Sequence, residues 1–435
     1  MLTKISLGLM AGLSLLATVA GTGARAEMAA SVDKPITITF YNYNLASVGL
    51  GADATNRLIQ EFMASHPNIK VQGVPVVSNE MTARVQADVV AGRTPDLAQI
   101  VFRDLDYVAS SLGAKAFEDI ASPAERKTAF DGMVANGLDL GKVRGKTYGL
   151  AYTFSTPVLF YNADLFRQAG LDPDKPPLTW DDVDRAAVAI KTKTGKNGFF
   201  GGIYGPADGT FVYQSIIMSN GGRALSTDGK RVTFDEAPAV EAVKMLRKMI
   251  DDGGHAKIEP ESQTDAMASG NLGMFLYTSA VLSTLNKAAK GKYELRAAAE
   301  PSFGEKPTAP TNSGSALFIL SDDPVKQRAA WELLKFLTSK HGYTVITSEI
   351  GYLPLRLDIV DDPQYLGPWM KENPMMRPNL AQLSRLTPNL AMPGPNFRQV
   401  EKTMMDAVRE AVFGSGDPAK VMQDAAVQAQ ALMPR

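Results

Sequence analysis

The chain has 435 residues, a formal net charge of −1 and 45% apolar residues. That length predicts two or more domains, and the near balance of charge argues against nucleic acid or an anionic membrane surface as partner. Cysteine is absent, so no disulfide holds the domains and each must stand on its own apolar core.

In chain order, Lys4, the apolar run "ISLGLMAGLSLLATVAG" and "ARA" before Glu27 predict a signal peptide over residues 1–26, cleaved after Ala26. The run is shorter than a membrane span. The cleavage point carries no cysteine for a lipid anchor, so the mature chain is expected free in an extracytoplasmic space, best a bacterial periplasm. "PITITFYNYN" alternates like a strand, and "DATNRLIQEFMASHP" sets Leu58, Ile59 and Phe62 on one helical face before Pro67. "NIKVQGVPVV" is a second strand, "EMTARVQADVVAG" a helix closed by Gly92, and "PDLAQIVF" a third strand. Strands alternating with helices predict a parallel α/β sheet. A helical stretch runs to about residue 140, and "GKVRGKTYGLAYTF" reads as a hairpin. "TPVLFYN" follows as a buried strand, Asn162 caps the helix "ADLFRQA", and Gly170 closes it. After the stiff turn "LDPDKPP", Thr179 and Asp182 form a capping box for "WDDVDRAAVAIKT". The chain to about residue 290 reads as mostly helical, with one strand in "LGMFLYTS". "TNSGSALFIL" resumes the strands, "VKQRAAWELLKFLTSKHG" is an amphipathic helix, and the tail after Asn396 is helical. An α/β pattern interrupted by a helical insert predicts a chain that passes between two lobes more than once, with 155–182 as a hinge region.

The catalytic signatures are weak. "GLGADA" (49–54) fits a dinucleotide loop, but no acidic residue ends the second strand; its milder reading is a glycine loop whose free N–H groups could hold ligand oxygens. "GKT" (145–147) lacks the glycine that a phosphate loop requires. His66, His255 and His341 are isolated, which predicts no metal site, and no G-x-S-x-G elbow occurs. Asp181-Asp182 and Asp322-Asp323 sit at helix starts, where the macrodipole explains them. No cofactor is expected. What remains is polar and aromatic residues at strand-to-loop edges: Tyr41, Asn42, Tyr43, Asn44, Arg103, Ser155, Tyr204, Tyr213, Tyr277, Ser279, Gly314 and Tyr352. In open α/β sheets ligands lie beyond the strands' carboxyl ends. Aromatic faces with hydroxyls and amides suit a polyhydroxylated ligand, bound and not transformed. The competing class is a secreted carbohydrate-active enzyme using cleft carboxylates; a surface adhesin is a further rival.

The segments "RGKTYGLAYTFSTPVLFYNADLFRQAGLDPDKPPLTWDD", "TPDLAQI", "GNLGMFLYTSAVLSTL" and "EIGYLPLR" resemble family 1 extracellular solute-binding proteins of ABC importers. "STPVLFYN" and "GYLP" are most similar to the branch that binds sn-glycerol-3-phosphate and glycerophosphodiesters. The resemblance implies a two-lobed periplasmic binding protein fold (type II, maltose-binding-protein-like), monomeric, closing on a carbohydrate-like solute and docking on a membrane permease. It implies an N-terminal lobe of 27–150 plus about 311–350, and a C-terminal lobe of about 151–310 plus 351–435. By position it implies ligand contacts at Ser155, Ser279, Gly314 and Tyr352, with Asn79 near the branch's anchoring tyrosine and Arg103 near its acid. Tyr204, Phe211 or Tyr213 stand in for its paired tryptophans, and Arg398 or Arg385 for its late phosphate-binding arginine. Tyr43 and Asn44 complete the expected contact set.

Overall fold

The computed structural model describes residues 27–47, 50–205 and 209–434. The expected signal peptide and the start of the glycine loop at Gly49 lie outside these residues. The strands are β1 (Ile36–Asn42), β2 (Ile69–Pro75), β3 (Leu97–Val101), the short hairpin β4 (Lys142–Val143) and β5 (Lys146–Thr147), β6 (Gly149–Ser155), β7 (Pro157–Asn162), β8 (Asn197–Gly201), β9 (Leu272–Thr278), β10 (Leu295–Ala298) and β11 (Ser313–Ile319).

Two main sheets result, one per lobe: β2-β1-β3-β11-β6 and β10-β7-β9-β8. In the first, β1 pairs in parallel with β2 and β3, as the alternating pattern predicts, while β11 runs antiparallel to both β3 and β6. In the second, β7 is antiparallel to β10 and β9, and β8 is parallel to β9. Leu58, Ile59 and Phe62 bury the inner face of helix Leu50–Ser65. Asn162 accepts hydrogen bonds from the amides of Asp164 and Leu165, and Thr179 with Asp182 closes a reciprocal capping box. Strands β8 and β10 occur where the sequence reads as helix and loop. "NGFFG" is short and glycine-flanked, and Gly198 is required because a Cβ there would lie 2.2 Å from the Ala187 carbonyl oxygen.

The chain passes between the sheets through three segments. The first is Thr156 alone, flanked by β6 and β7, whose residues are all buried. Pro157 opens β7, where a missing N–H is tolerated. Residue 150, where the sequence sets the lobe boundary, lies inside β6, whose Ser155 still pairs with Ser313 in the first sheet. The second passage runs from β10 to β11. The third follows Gly351, and the Leu353 amide there donates to the Phe154 carbonyl at 2.9 Å.

Several polar groups of these passages are buried and paired. The Thr156 hydroxyl accepts from Asn379 Nδ2 at 3.0 Å, and its carbonyl accepts from the Ser279 amide at 3.0 Å. Gln382 ties the first passage to the second, donating to the Pro157 carbonyl at 2.7 Å and accepting from the Glu300 amide at 3.1 Å.

Candidate functional site

A cavity of about 490 Å³ opens between the lobes at the carboxyl ends of β1 and β3. The first lobe supplies Tyr43, Val77, Ser78, Asn79, Val101, Phe102 and Arg103, and the second supplies Thr210, Phe211 and Asn389. Ser313 and Gly314 open β11 in the first sheet, and Asn312 and Tyr352 come from the passages that join the lobes.

Each group is positioned by its backbone. Tyr43 follows β1 directly, and its hydroxyl enters a buried knot, 2.7 Å from Thr153 Oγ1 and 3.1 Å from Ser315 Oγ. Gln99 Nε2 donates to both of those hydroxyls at 2.9 Å. Burial pushes the Tyr43 phenol up, against hydrogen bonds from Ser315, Thr153, Tyr352 and Gln99. The ring therefore stands rigid on the cleft floor. Helix Lys340–Val345 widens into a π-helical turn, Ile346–Ile350, and ends at Gly351 with φ of 97°, which delivers Tyr352 to the cleft. Gly314 holds φ of 98°, and a Cβ there would lie 2.0 Å from the Thr153 carbonyl oxygen, so only glycine lets β11 approach β6 at the cleft. Asn312 Oδ1 accepts from the Asn389 amide at 2.9 Å, fixing these two residues of the lining together.

Of the residues expected from sequence, Tyr43, Asn79, Arg103, Gly314, Tyr352 and Phe211 meet in the cavity wall. Tyr204 and Tyr213 are corrections: both turn into the second lobe's core. Tyr204 lies 3.0 Å from His255 Nε2 and packs on Phe413 at 4.7 Å, and Tyr213 is fully buried on a helix that is buried along its whole length. Burial pushes the Tyr213 phenol up and pulls the His255 imidazole down to about 4. Asn44, Ser155 and Ser279 are buried beside or beneath the cavity and do not line it; the Ser155 hydroxyl accepts from Thr278 Oγ1 at 2.7 Å. Tyr41 donates to Asp88 at 2.9 Å, and the Asp88 carboxyl is held down to about 2 chiefly by Arg84.

Arg385 and Arg398, the late arginines expected from sequence, are already engaged, as is Arg356 beside the cleft tyrosine Tyr352 in sequence. Arg356 donates to the carbonyls of Thr338 and Ala129 at 3.0 Å, and Arg385 donates to Thr308. Arg398 stands at the rim, 3.1 Å from Asp104. Arg103 is thus the cation of the described lining, with its Nε 3.6 Å from Asp104.

Sequence reasoning missed Ser78, Thr210, Asn312, Ser313 and Asn389. Asn312 and Ser313 immediately precede the glycine already singled out and were within reach of the strand-edge argument. Asn389 lies in an irregular loop with no periodic signal. Among the described residues no group of three or more His, Cys, Asp or Glu side chains could hold a metal ion, and no helix is long and apolar enough to cross a membrane.

A family model described as bacterial extracellular solute-binding protein matches residues 57–378. The chain belongs to the bacterial extracellular solute-binding proteins. Among its relatives in this family is a binding protein of Brucella abortus (strain 2308), 28% identical over 445 residues, covering 100% of this chain and 99% of that one. The sn-glycerol-3-phosphate-binding periplasmic protein UgpB of Escherichia coli (strain K12) is 24% identical over 331 residues, 73% of this chain and 74% of that one. Solved structures share the fold. The cyclic alpha-maltosyl-1,6-maltose binding protein from Arthrobacter globiformis superposes with a TM-score of 0.79 at 22% identity, over 92% of this chain and 99% of its own. UgpB from Mycobacterium tuberculosis in complex with glycerophosphocholine gives 0.77 at 20% identity, over 91% and 98%. The two-lobed α/β architecture expected from the sequence is the one these solute-binding proteins have.

Proposed function

We propose that this protein is the periplasmic solute-binding component of an ABC importer. On this reading it captures a carbohydrate-like solute between its lobes and delivers it, chemically unchanged, to the membrane permease. The observation that carries the reading is the composition of the interlobe cavity. Aromatic rings (Tyr43, Phe102, Phe211, Tyr352) face amides (Asn79, Asn312, Asn389) and hydroxyls (Ser78, Thr210, Ser313), with one guanidinium, Arg103. Rings stack on the C–H faces of a polyhydroxylated ligand while amides and hydroxyls both donate to and accept from its OH groups. A volume of about 490 Å³ is within the usual range for small-molecule sites. Both lobes contribute, so a ligand gains its full set of contacts only when the lobes close on it.

The enzyme alternative needs a pair of carboxylates flanking the ligand, and the described lining residues include none. We take the first lobe as 27–155 plus about 313–350 and the remainder as the second, with the mature chain acting as a monomer, freed from its signal peptide. The likeness to proteins named for glycerol phosphate, glycerophosphocholine and cyclic maltosyl sugars supports the ligand class without choosing within it. Arg103 decides that choice. A thermal-shift screen of neutral oligosaccharides, polyols and glycerol-phosphate esters on wild type and Arg103→Ala tests both points. A binder is stabilised by about 2.7 kcal/mol at a hundredfold excess of solute over Kd. If an anion is native, Arg103→Ala abolishes its effect and neutral sugars give none. If a neutral sugar is native, it protects both proteins. No stabilisation by any of the three classes would overturn the proposal.

A further inference from the structure

The lobes meet a second time at the rim of the cavity, in a small, partly buried contact. Its first-lobe side is the 3-10 turn Phe102–Asp104 that follows β3, together with Tyr107; its second-lobe side is the first turn of helix Phe397–Phe413. Asp104 is 1% exposed, hydrogen-bonded by Thr82 Oγ1, and 3.1 Å from Arg398 Nη2 of the opposite lobe. Tyr107 stacks on Phe397 at 6.1 Å with 27° between the rings. Glu401 lies three residues beyond Arg398 on the same helical face, where i and i+3 are neighbours. It is 3% exposed, and its Oε1 has no hydrogen-bond partner. Two buried carboxyls and two guanidiniums, Arg398 half-exposed, therefore share one contact that exists only at this separation of the lobes.

We propose that Asp104 on the first lobe, with Arg398 and Glu401 on the second, forms a proton-sensitive latch that favours the shut cleft. The charged groups acting on Glu401 are Arg103 and Asp104 from the first lobe and Arg398 from its own helix. The helices Ala237–Asp251 and Pro418–Leu432, packed against the same helix, add none. With the lobes together, burial pushes the Glu401 carboxyl up to about 7, Arg103 and Arg398 pull it down, and Asp104 pushes it up. On this proposal, parting the lobes removes the first lobe's cover from Glu401 and returns it toward an ordinary carboxyl near 4.5. Shutting the latch therefore takes up a proton between those two values. The shut form has its full advantage below 4.5 and loses it as pH rises through about 7. The ratio of shut to open protein falls about tenfold from pH 6 to pH 8. The Asp104–Arg398 pair gives the contact its strength and Glu401 its pH response.

The absence of cysteine makes the test direct. Ser111→Cys and Gln428→Cys, exposed and uncharged positions on opposite lobes, accept a pair of spin labels. Interlobe distances are measured by double electron–electron resonance on the whole protein without solute at pH 6 and pH 8. The expected result is a mainly short distance at pH 6 and a larger long-distance fraction at pH 8. Glu401→Gln should hold the short distance at both values, and Arg398→Ala the long one at both. Identical distributions at both pH values in wild type would overturn the proposal. So would a pH shift that survives in Glu401→Gln, because Glu300 on the second passage would then be its source. If the glutamine variant folds poorly, Arg398→Ala decides independently: a short distance retained in it at both pH values would also overturn the latch.

Discussion

Replacing Glu300 with glutamine should remove a large pH dependence of folding. Glu300 sits in the second passage between the lobes, 3% exposed, with Oε2 at 2.5 Å from Ser215 Oγ and Oε1 without a partner. Burial pushes its carboxyl up to about 8, while Ser215 and Arg385 pull it down. Unfolding returns it to about 4.5. The native state therefore binds a proton that the unfolded state has released throughout that window, and stability must fall as pH rises across it. Below 4.5 the contribution is complete, and above 8 both states are ionised and the loss is constant. At about 1.4 kcal/mol per pH unit the span is worth on the order of 5 kcal/mol, an upper figure because the native state can relax around the charge. Urea unfolding of wild type and Glu300→Gln at half-unit steps from pH 5 to 9 measures this. Glu401 adds a slope of the same sign to both proteins, so the difference between them is the readout. It should grow in the variant's favour up to about pH 8 and then level off. Parallel curves across the whole range would show that Glu300 is ionised in the native state and refute the reasoning.

Gly314→Ala should cost about 2–4 kcal/mol in the same urea assay, since it combines a positive φ with a Cβ 2.0 Å from a backbone oxygen. Tyr43→Phe should cost about 1–3 kcal/mol by leaving the Thr153 and Ser315 hydroxyls one partner short, with secondary structure unchanged by circular dichroism. Phe211→Ala and Tyr352→Ala should each weaken calorimetric binding of whichever solute stabilises the protein by about 1–3 kcal/mol, while Tyr213→Phe leaves affinity unchanged because that ring faces the core.

The fold was largely legible in the sequence because its elements announce themselves locally. Asn162, Thr179 and Gly170 mark helix ends by their own chemistry, and β6 and β7 are apolar runs too short for helices. Strands β8 and β10 were hidden because glycines and charges flank them and only their neighbours in the second sheet make them strands. The cavity was half legible. Residues at strand ends, such as Tyr43, Arg103 and Gly314, follow from where open sheets bind ligands. Tyr204 and Tyr213 misled because an aromatic near a glycine-rich loop looks the same whether the fold turns it toward the cleft or the core. For Tyr204 that is settled by packing against His255 and Phe413, which lie far away in sequence. The engagement of Arg356, Arg385 and Arg398 was likewise invisible, since each partner is set by the tertiary fold.

The most direct test of the central claim is calorimetric titration of the stabilising solute, followed by mass spectrometry of the solute recovered from the complex. The account predicts saturable binding of one solute per chain, weakened by Phe211→Ala, with the solute recovered at its original mass. Recovery of a cleaved or modified product, or binding indifferent to every cavity substitution, would contradict it.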